Sequence, residues 1–212
     1  MQRYIKLMKS AILILLLSIP ITIVSGQSSM DPRVLFAKLQ SDSTTDFAAQ
    51  ELEALGRSQP QTRDFLANHL AEVIERNPYD NPRQWTNAVT LAGNLKIVEC
   101  VPALIKWIGV SDIGTAASTL AETAKLQTNH AAKALATIGD PSVQALSKVL
   151  NDGEQRERLF AVYVLDQIHS SKSLEALREQ AQQESDPSMK KLIEKIVSAN
   201  SSIPLPETKK SD

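Results

Sequence analysis

Residues 131–150 read AAKALATIGDPSVQALSKVL, and the punctuation at Ile138-Gly139-Asp140-Pro141 divides them in two. Glycine can take the left-handed conformation that ends a helix. Asp140 can accept hydrogen bonds from free N–H groups at the next helix start, and proline fits the first helical position. The stretch therefore predicts two short helices joined by a tight turn, an αα-hairpin. The same start signal recurs at Asp31-Pro32, Asn81-Pro82 and Asp186-Pro187. After the last of these, Met189, Leu192, Ile193, Ile196 and Val197 form one apolar stripe opposite Lys190, Lys191, Glu194 and Lys195, which predicts a helix packed on one side only.

Working outward, the hairpin repeats. In Ala161–Ala181 (AVYVLDQIHSSKSLEALREQA), Leu165 matches Leu135 and Leu177 matches Leu146, offsets of 30 and 31 residues. In Ala88–Ile108 (AVTLAGNLKIVECVPALIKWI), Leu91 and Leu104 play the same parts at offsets of 44 and 42 residues. The excess falls between Ile108 and Asn129. Self-similarity at a two-helix period is the signature of a solenoid, in which each unit buries its apolar face only against its neighbours. The expected fold class is all-α.

Composition agrees with that class. The chain has 212 residues, a net charge of -1, 42% hydrophobic and 4% aromatic residues, and only seven glycines, which favours helices over sandwiches or barrels. It lacks the basic excess that non-specific nucleic-acid binding requires. A single cysteine, Cys100, rules out an internal disulfide framework.

The N-terminus reads as an address. MQRYIKLMKS carries Arg3, Lys6 and Lys9 with no acid, Ala11–Val24 is a mostly apolar run, and Val24-Ser25-Gly26 offers small residues for a signal peptidase. That run is shorter than the about 20 residues of a membrane span. Residues 1–26 are therefore expected to be a cleaved secretory signal, with an uncleaved anchor over residues 1–24 as the alternative. Cleavage would leave 20 basic against 24 acidic residues. The mature chain is expected in the periplasm or outside the cell. Residues 27–45 are expected to form a short helix and linker, 46–200 the solenoid with an insertion at about 110–128, and 201–212 a disordered tail. Within the insertion, Ser118–Lys125 could hold a partial helix.

The segments Ala134-Leu-Ala-Thr-Ile-Gly-Asp-Pro-Ser-Val-Gln-Ala-Leu and Gly93-Asn-Leu-Lys-Ile-Val-Glu-Cys-Val-Pro-Ala-Leu-Ile-Lys resemble the HEAT-like repeat, the type also found in phycobilisome lyases. The likeness runs from Asn81 to about Asn200. Asp46–Arg76 resembles a more degenerate unit, with Gly56 where a turn glycine belongs. The Leu95-Lys96-Ile97 and His169-Ser170-Ser171 turns depart from the pattern, since both lack Gly-Asp. The resemblance implies stacked helical hairpins and a protein-binding scaffold.

The sequence offers little chemistry. His69, His130 and His169 are 61 and 39 residues apart, without metal-ligand spacing, and read as surface or capping residues. Gly109–Thr115 lacks the lysine of a phosphate loop, and Ser111 lacks the glycine spacing of a nucleophile elbow. Glu51 with Glu53, and Glu154 with Glu157, read as solvated helix faces. Asn200-Ser201-Ser202 is a glycosylation sequon of chance frequency. Cys100 reads as a small core hydrophobe. Trp85 and Trp107 read as packing of one unit, with recognition as the other role.

The expected function is an exported, non-catalytic interaction scaffold with no cofactor, metal or nucleic acid. A membrane-tethered structural subunit and a lyase-like accessory enzyme are the alternatives. Aligning second helices on Leu104, Leu146 and Leu177 places Gln144 with Glu175, and Lys106 with Lys148 and Glu179, on one ledge, with Arg178 beside them. Of these, Lys106, Lys148, Arg178, Gln144 and Glu175 are the candidate partner-binding surface, and the Lys106–Lys148 pair predicts a partner with an acidic segment.

Overall fold

A computed structural model describes residues 30–41, 43–110 and 128–200. The expectations for the signal at 1–26, the partial helix at 118–125 and the tail at 201–212 lie outside the described residues. The chain divides into two units, Met1–Met30 and Asp31–Asp212, and every described helix belongs to the second. These are α1 (Pro32–Leu39), α2 (Thr45–Ser58), α3 (Pro60–Glu75), α4 (Pro82–Asn94), α5 (Val101–Ile105), α6 (His130–Ile138), α7 (Val143–Asp152), α8 (Gln155–Ile168), α9 (Ser171–Gln183) and α10 (Pro187–Ala199). No strand occurs among the described residues.

The helices pair as hairpins, α2 with α3, α4 with α5, α6 with α7 and α8 with α9. Their first members stack side by side in the order α2, α4, α6, α8, with α10 closing that layer. The second members form the other layer in the order α3, α5, α7, α9. The register leucines Leu91, Leu104, Leu135, Leu146, Leu165 and Leu177 are each at most 1% exposed, so the core runs between the layers. Burying each such side chain contributes roughly 1.5–3 kcal/mol. The α1 helix, expected as a separate piece before the solenoid, packs on α2 with Leu35 and Leu39 fully buried.

The start signals work as the residue types require at three of the four sites. Asp31 accepts from Arg33 N at 2.9 Å, Asn81 from Gln84 N at 3.0 Å, and Asp186 from Ser188 N at 2.8 Å and Met189 N at 3.2 Å. Asp140 is the exception. It opens a 3-10 turn, Asp140–Ser142, which is closed from within: Ser142 N donates to Gly139 O at 2.8 Å, and Ser142 Oγ donates to Leu135 O at 3.1 Å. The Asp140 carboxylate is left to reach Lys172 instead, at 3.9 Å.

The turns reveal a repeat that composition disguises. Lys96, Gly139 and His169, at the ends of α4, α6 and α8, all have positive φ, at 50°, 85° and 53°. A positive φ is thus kept in all three units, but Gly139, with ψ at -140°, takes a conformation that is essentially glycine's own. His169, with ψ at 40°, is left-handed helical and, like Lys96, places a side chain where glycine is the easy choice. Gly56 has a different job from the turn role expected of it. It lies inside α2, and the turn is at Gln59-Pro60. A Cβ on Gly56 would stand 2.6 Å from Leu95 Cδ1, so the missing side chain makes room for the next unit.

Cations finish several helix ends where carbonyls lack intrahelical partners. Arg63 donates to Leu95 O at 3.3 Å and Lys96 O at 2.9 Å, and Lys106 Nζ donates to Glu75 O at 3.2 Å. Arg158 donates to Leu150 O at 2.9 Å and also pairs with Glu184, whose side chain is 1% exposed. One buried side chain joins Ile108 to the start of α6. Asn129 donates to Ile108 O at 2.6 Å and accepts from Ala132 N at 2.8 Å, capping α6 while tying it to the end of the preceding unit.

Candidate functional site

Neighbouring second helices need not fill the space between their outer faces, and α7 and α9 leave a groove of about 400 Å³ there. Its floor is apolar, from Pro141, Val143 and Ala176. Gln144 and Ser147 rise from α7, and Glu175 and Glu179 from α9. The two helices are bridged at both ends of this face. Lys172 meets Asp140 at 3.9 Å at one end, and Gln183 Nε2 donates to Asn151 Oδ1 at 2.9 Å at the other. Between the bridges the polar side chains do not satisfy one another. Ser147 turns its hydroxyl back to Val143 O at 3.0 Å, and Gln144, Glu175 and Glu179 form no hydrogen bond or ion pair with any described residue.

Of the five residues expected to form the binding surface, the structure brings Gln144 and Glu175 together in this groove. Lys148 and Arg178 lie outside its lining; Lys148 is exposed, and Arg178 is half-buried with its Nη1 enclosed and unbonded. Lys106 is occupied elsewhere, at the Glu75 carbonyl and 5.2 Å from the centre of the Trp107 ring. The ledge charge that sequence alignment emphasised is therefore a helix-end contact at one of its two lysines. The groove itself carries three carboxylates, Asp140, Glu175 and Glu179, against one ammonium, Lys172.

A second groove, of about 220 Å³, lies between α2 and α4 and is lined by Asp46, Gln50, Glu53, Asn87 and Thr90. Here the carboxylates are matched. Asp46 pairs with Arg83 and accepts from Asn87 Nδ2 at 2.8 Å, and together these hold its carboxyl at about 2. Glu53 accepts from Asn94 Nδ2 at 2.9 Å and pairs with Arg57 at 2.7 Å; Asn94 and then Arg57, working against burial, draw its carboxyl below the usual range. Such a surface is held by its own contacts.

Cys100 is fully buried, and burial, followed by Glu99, pushes its thiol up to about 12. His69 shares a 2.7 Å hydrogen bond with Phe65 O and stacks on that ring, with Phe36 of α1 edge-on to both. His130 is half-buried at the start of α6, and burial, followed by Lys133, lowers its imidazole. His169 is the left-handed cap of α8. Glu154 and Glu157, expected on a solvated face, form a reciprocal cap at the start of α8, with Glu154 N donating to Glu157 Oε2 at 3.1 Å. Trp85 is buried, donates to Ile74 O at 2.9 Å, and meets Trp107 edge-on at 6.5 Å. Among the described residues, no group of three or more His, Cys, Asp or Glu could hold a metal ion, and no helix is long and apolar enough to cross a membrane.

Glu179, which the repeat register aligned with Lys106 and Lys148, lines the groove with Glu175, one helical turn away, whereas sequence reasoning missed Arg63 and Arg158 as helix-end donors. Nothing local marks Arg63, whose carbonyl partner is 32 residues away, and Arg158 reaches Leu150 O from the next helix, eight residues on, while its carboxylate partner Glu184 is 26 residues away.

The family model of the PBS lyase HEAT-like repeat matches residues 130–152, which span α6, the Gly139–Ser142 turn and α7. No curated protein matches the chain. The matched repeat supplies one wall of the open groove, and the helices on either side continue its stacking. The chain is an all-α solenoid containing a HEAT-like repeat.

Proposed function

We propose that this solenoid is an exported, non-catalytic scaffold that takes a protein or peptide partner on its second-helix layer, in the groove between α7 and α9. The observation that carries the reading is the set of unpartnered polar side chains, Gln144, Glu175 and Glu179, over an apolar floor. A polar group facing a concave surface without an internal partner is available to a ligand, and solenoid faces are suited to extended partners. Export is supported by the basic, apolar and small-residue succession of Met1–Gly26.

Two measurements test it. In the source cells, full-length variants carrying a photo-reactive residue in place of Gln144 or Gln50 compare the two grooves. A discrete protein adduct is expected from position 144 and not from 50; no adduct at 144, or equal adducts at both, overturns the assignment. The intact mass of the exported fraction should correspond to a chain starting near Gln27. A full-length mass confined to membranes would replace export with tethering.

A further inference from the structure

Resting on that reading, we infer that the partner enters the α7–α9 groove as an extended basic segment, with Lys or Arg side chains at alternate positions. Three features lead there.

The first is charge. The Lys172–Asp140 contact joins two exposed side chains and offsets one negative charge, which leaves Glu175 and Glu179 unanswered. Two like charges at i and i+4 on one helix disfavour each other. A cation placed over each removes that repulsion and adds a charge-assisted hydrogen bond.

The second is spacing. Four residues along a helix advance about 6 Å, and two residues along an extended chain advance about 6.6 Å. Alternate side chains of an extended segment therefore fall in register with Glu175 and Glu179, whereas adjacent ones point to opposite sides.

The third is the facing wall. Gln144 is exposed and presents a free amide that can both donate and accept, which suits the backbone of an extended chain. Val143 and Ala176 give the segment's small side chains an apolar floor. This reverses the charge expected from Lys106 and Lys148.

Capped five-residue peptides test the inference by fluorescence anisotropy with the full chain. The probes are Ala-Lys-Ala-Lys-Ala, its adjacent-lysine isomer Ala-Lys-Lys-Ala-Ala, and Ala-Glu-Ala-Glu-Ala, each carrying the same dye. The alternate-lysine peptide should bind tightest, weaken with added salt, and lose about tenfold in affinity in Glu175→Gln with Glu179→Gln. Glu51→Gln with Asp64→Asn makes the same change in net charge on the α2–α3 unit and should leave binding unchanged. Equal binding of the two lysine isomers, or equal losses in the two double variants, overturns the inference by showing nonspecific attraction. Preferential binding of the glutamate peptide overturns it too. Either failure leaves the cross-link at position 144 to stand or fall separately, so the groove and its charge preference are tested apart.

Discussion

The two grooves of this solenoid are built from similar residues and differ in whether those residues answer one another. Between α2 and α4, Asp46 and Glu53 each meet an arginine and an asparagine, and the carboxyls are held below their usual values. Between α7 and α9, the Glu175 and Glu179 side chains form no hydrogen bond or ion pair with any described residue. Unmatched charge is a cost to the free protein, and sequences tend to depart from local consistency where a site is used. Carboxylates in a groove are thus a poor guide to binding until their partners are counted.

The open groove needs a rigid frame, and the strongest way to break it is at Glu184. This carboxylate pairs with Arg158, accepts from Gln180 Nε2 at 2.9 Å and Asp186 N at 2.9 Å, and so ties α8, α9 and the start of α10. Removing one partner of a buried pair costs about 3–5 kcal/mol. Urea unfolding of Glu184→Ala should show a loss of that order. Burial raises this carboxyl, but Arg158, the Asp186 N–H and Gln180 outweigh it and hold it at about 2, against 4.5 unfolded. A depressed folded value means stability is present above the unfolded value and is lost as pH falls through the folded one. The Glu184 contribution should therefore disappear between about pH 5 and pH 2, and Glu184→Gln should flatten that part of the stability–pH curve.

The joint between the two regions is Asn129, and its effect should be the next largest. Its side chain both caps α6 and holds Ile108 O from a fully buried position. Asn129→Ala removes a cap and leaves a buried carbonyl without its donor, together about 2 kcal/mol. If the tie couples the halves, unfolding followed in the α6–α10 region and at the Trp85–Trp107 pair should separate into two transitions in the variant. A single transition with unchanged midpoint would show that the joint lies elsewhere.

A smaller change distinguishes the repeat turns. Lys96 and His169 adopt the left-handed conformation at a strain of roughly 1–2 kcal/mol, partly offset in a glycine variant by its greater chain entropy. Lys96→Gly and His169→Gly should each stabilise by about 0.5–1 kcal/mol in denaturant titration, whereas Gly139→Ala should destabilise.

These turns also show what could be read beforehand. The helix starts and the leucine register were legible because both depend on residues a few positions apart. Gly56 misled because a glycine in a helical pattern resembles a stop, while its actual use is clearance for Leu95, 39 residues on. Lys106 was readable as a basic residue on the second-helix layer, but not as the donor to Glu75 O, since that depends on how two units stack. Arg63 would have passed for a neutral surface position for the same reason, yet its guanidinium closes the end of α4. Gln144 and Glu175 were found by register alone. Their lack of partners became visible only with every neighbouring side chain in place.

The smallest predicted effect is the most informative about the comparison. Neutralising Glu175 and Glu179 together removes a like-charge i, i+4 pair that has no compensating contact among the described residues, so the double Gln variant should be more stable than wild type by about 0.2–0.5 kcal/mol. Neutralising the matched carboxylate in the other groove should have the opposite sign, because Asp46→Asn removes the ion pair with Arg83 and weakens the Asn87 contact. Paired thermal scans at low and moderate salt measure both. Added salt should shrink the two effects towards zero from opposite sides. Two shifts of the same sign would mean that Glu175 and Glu179 are as well satisfied as Asp46, and the case for an open groove between α7 and α9 would lose its footing.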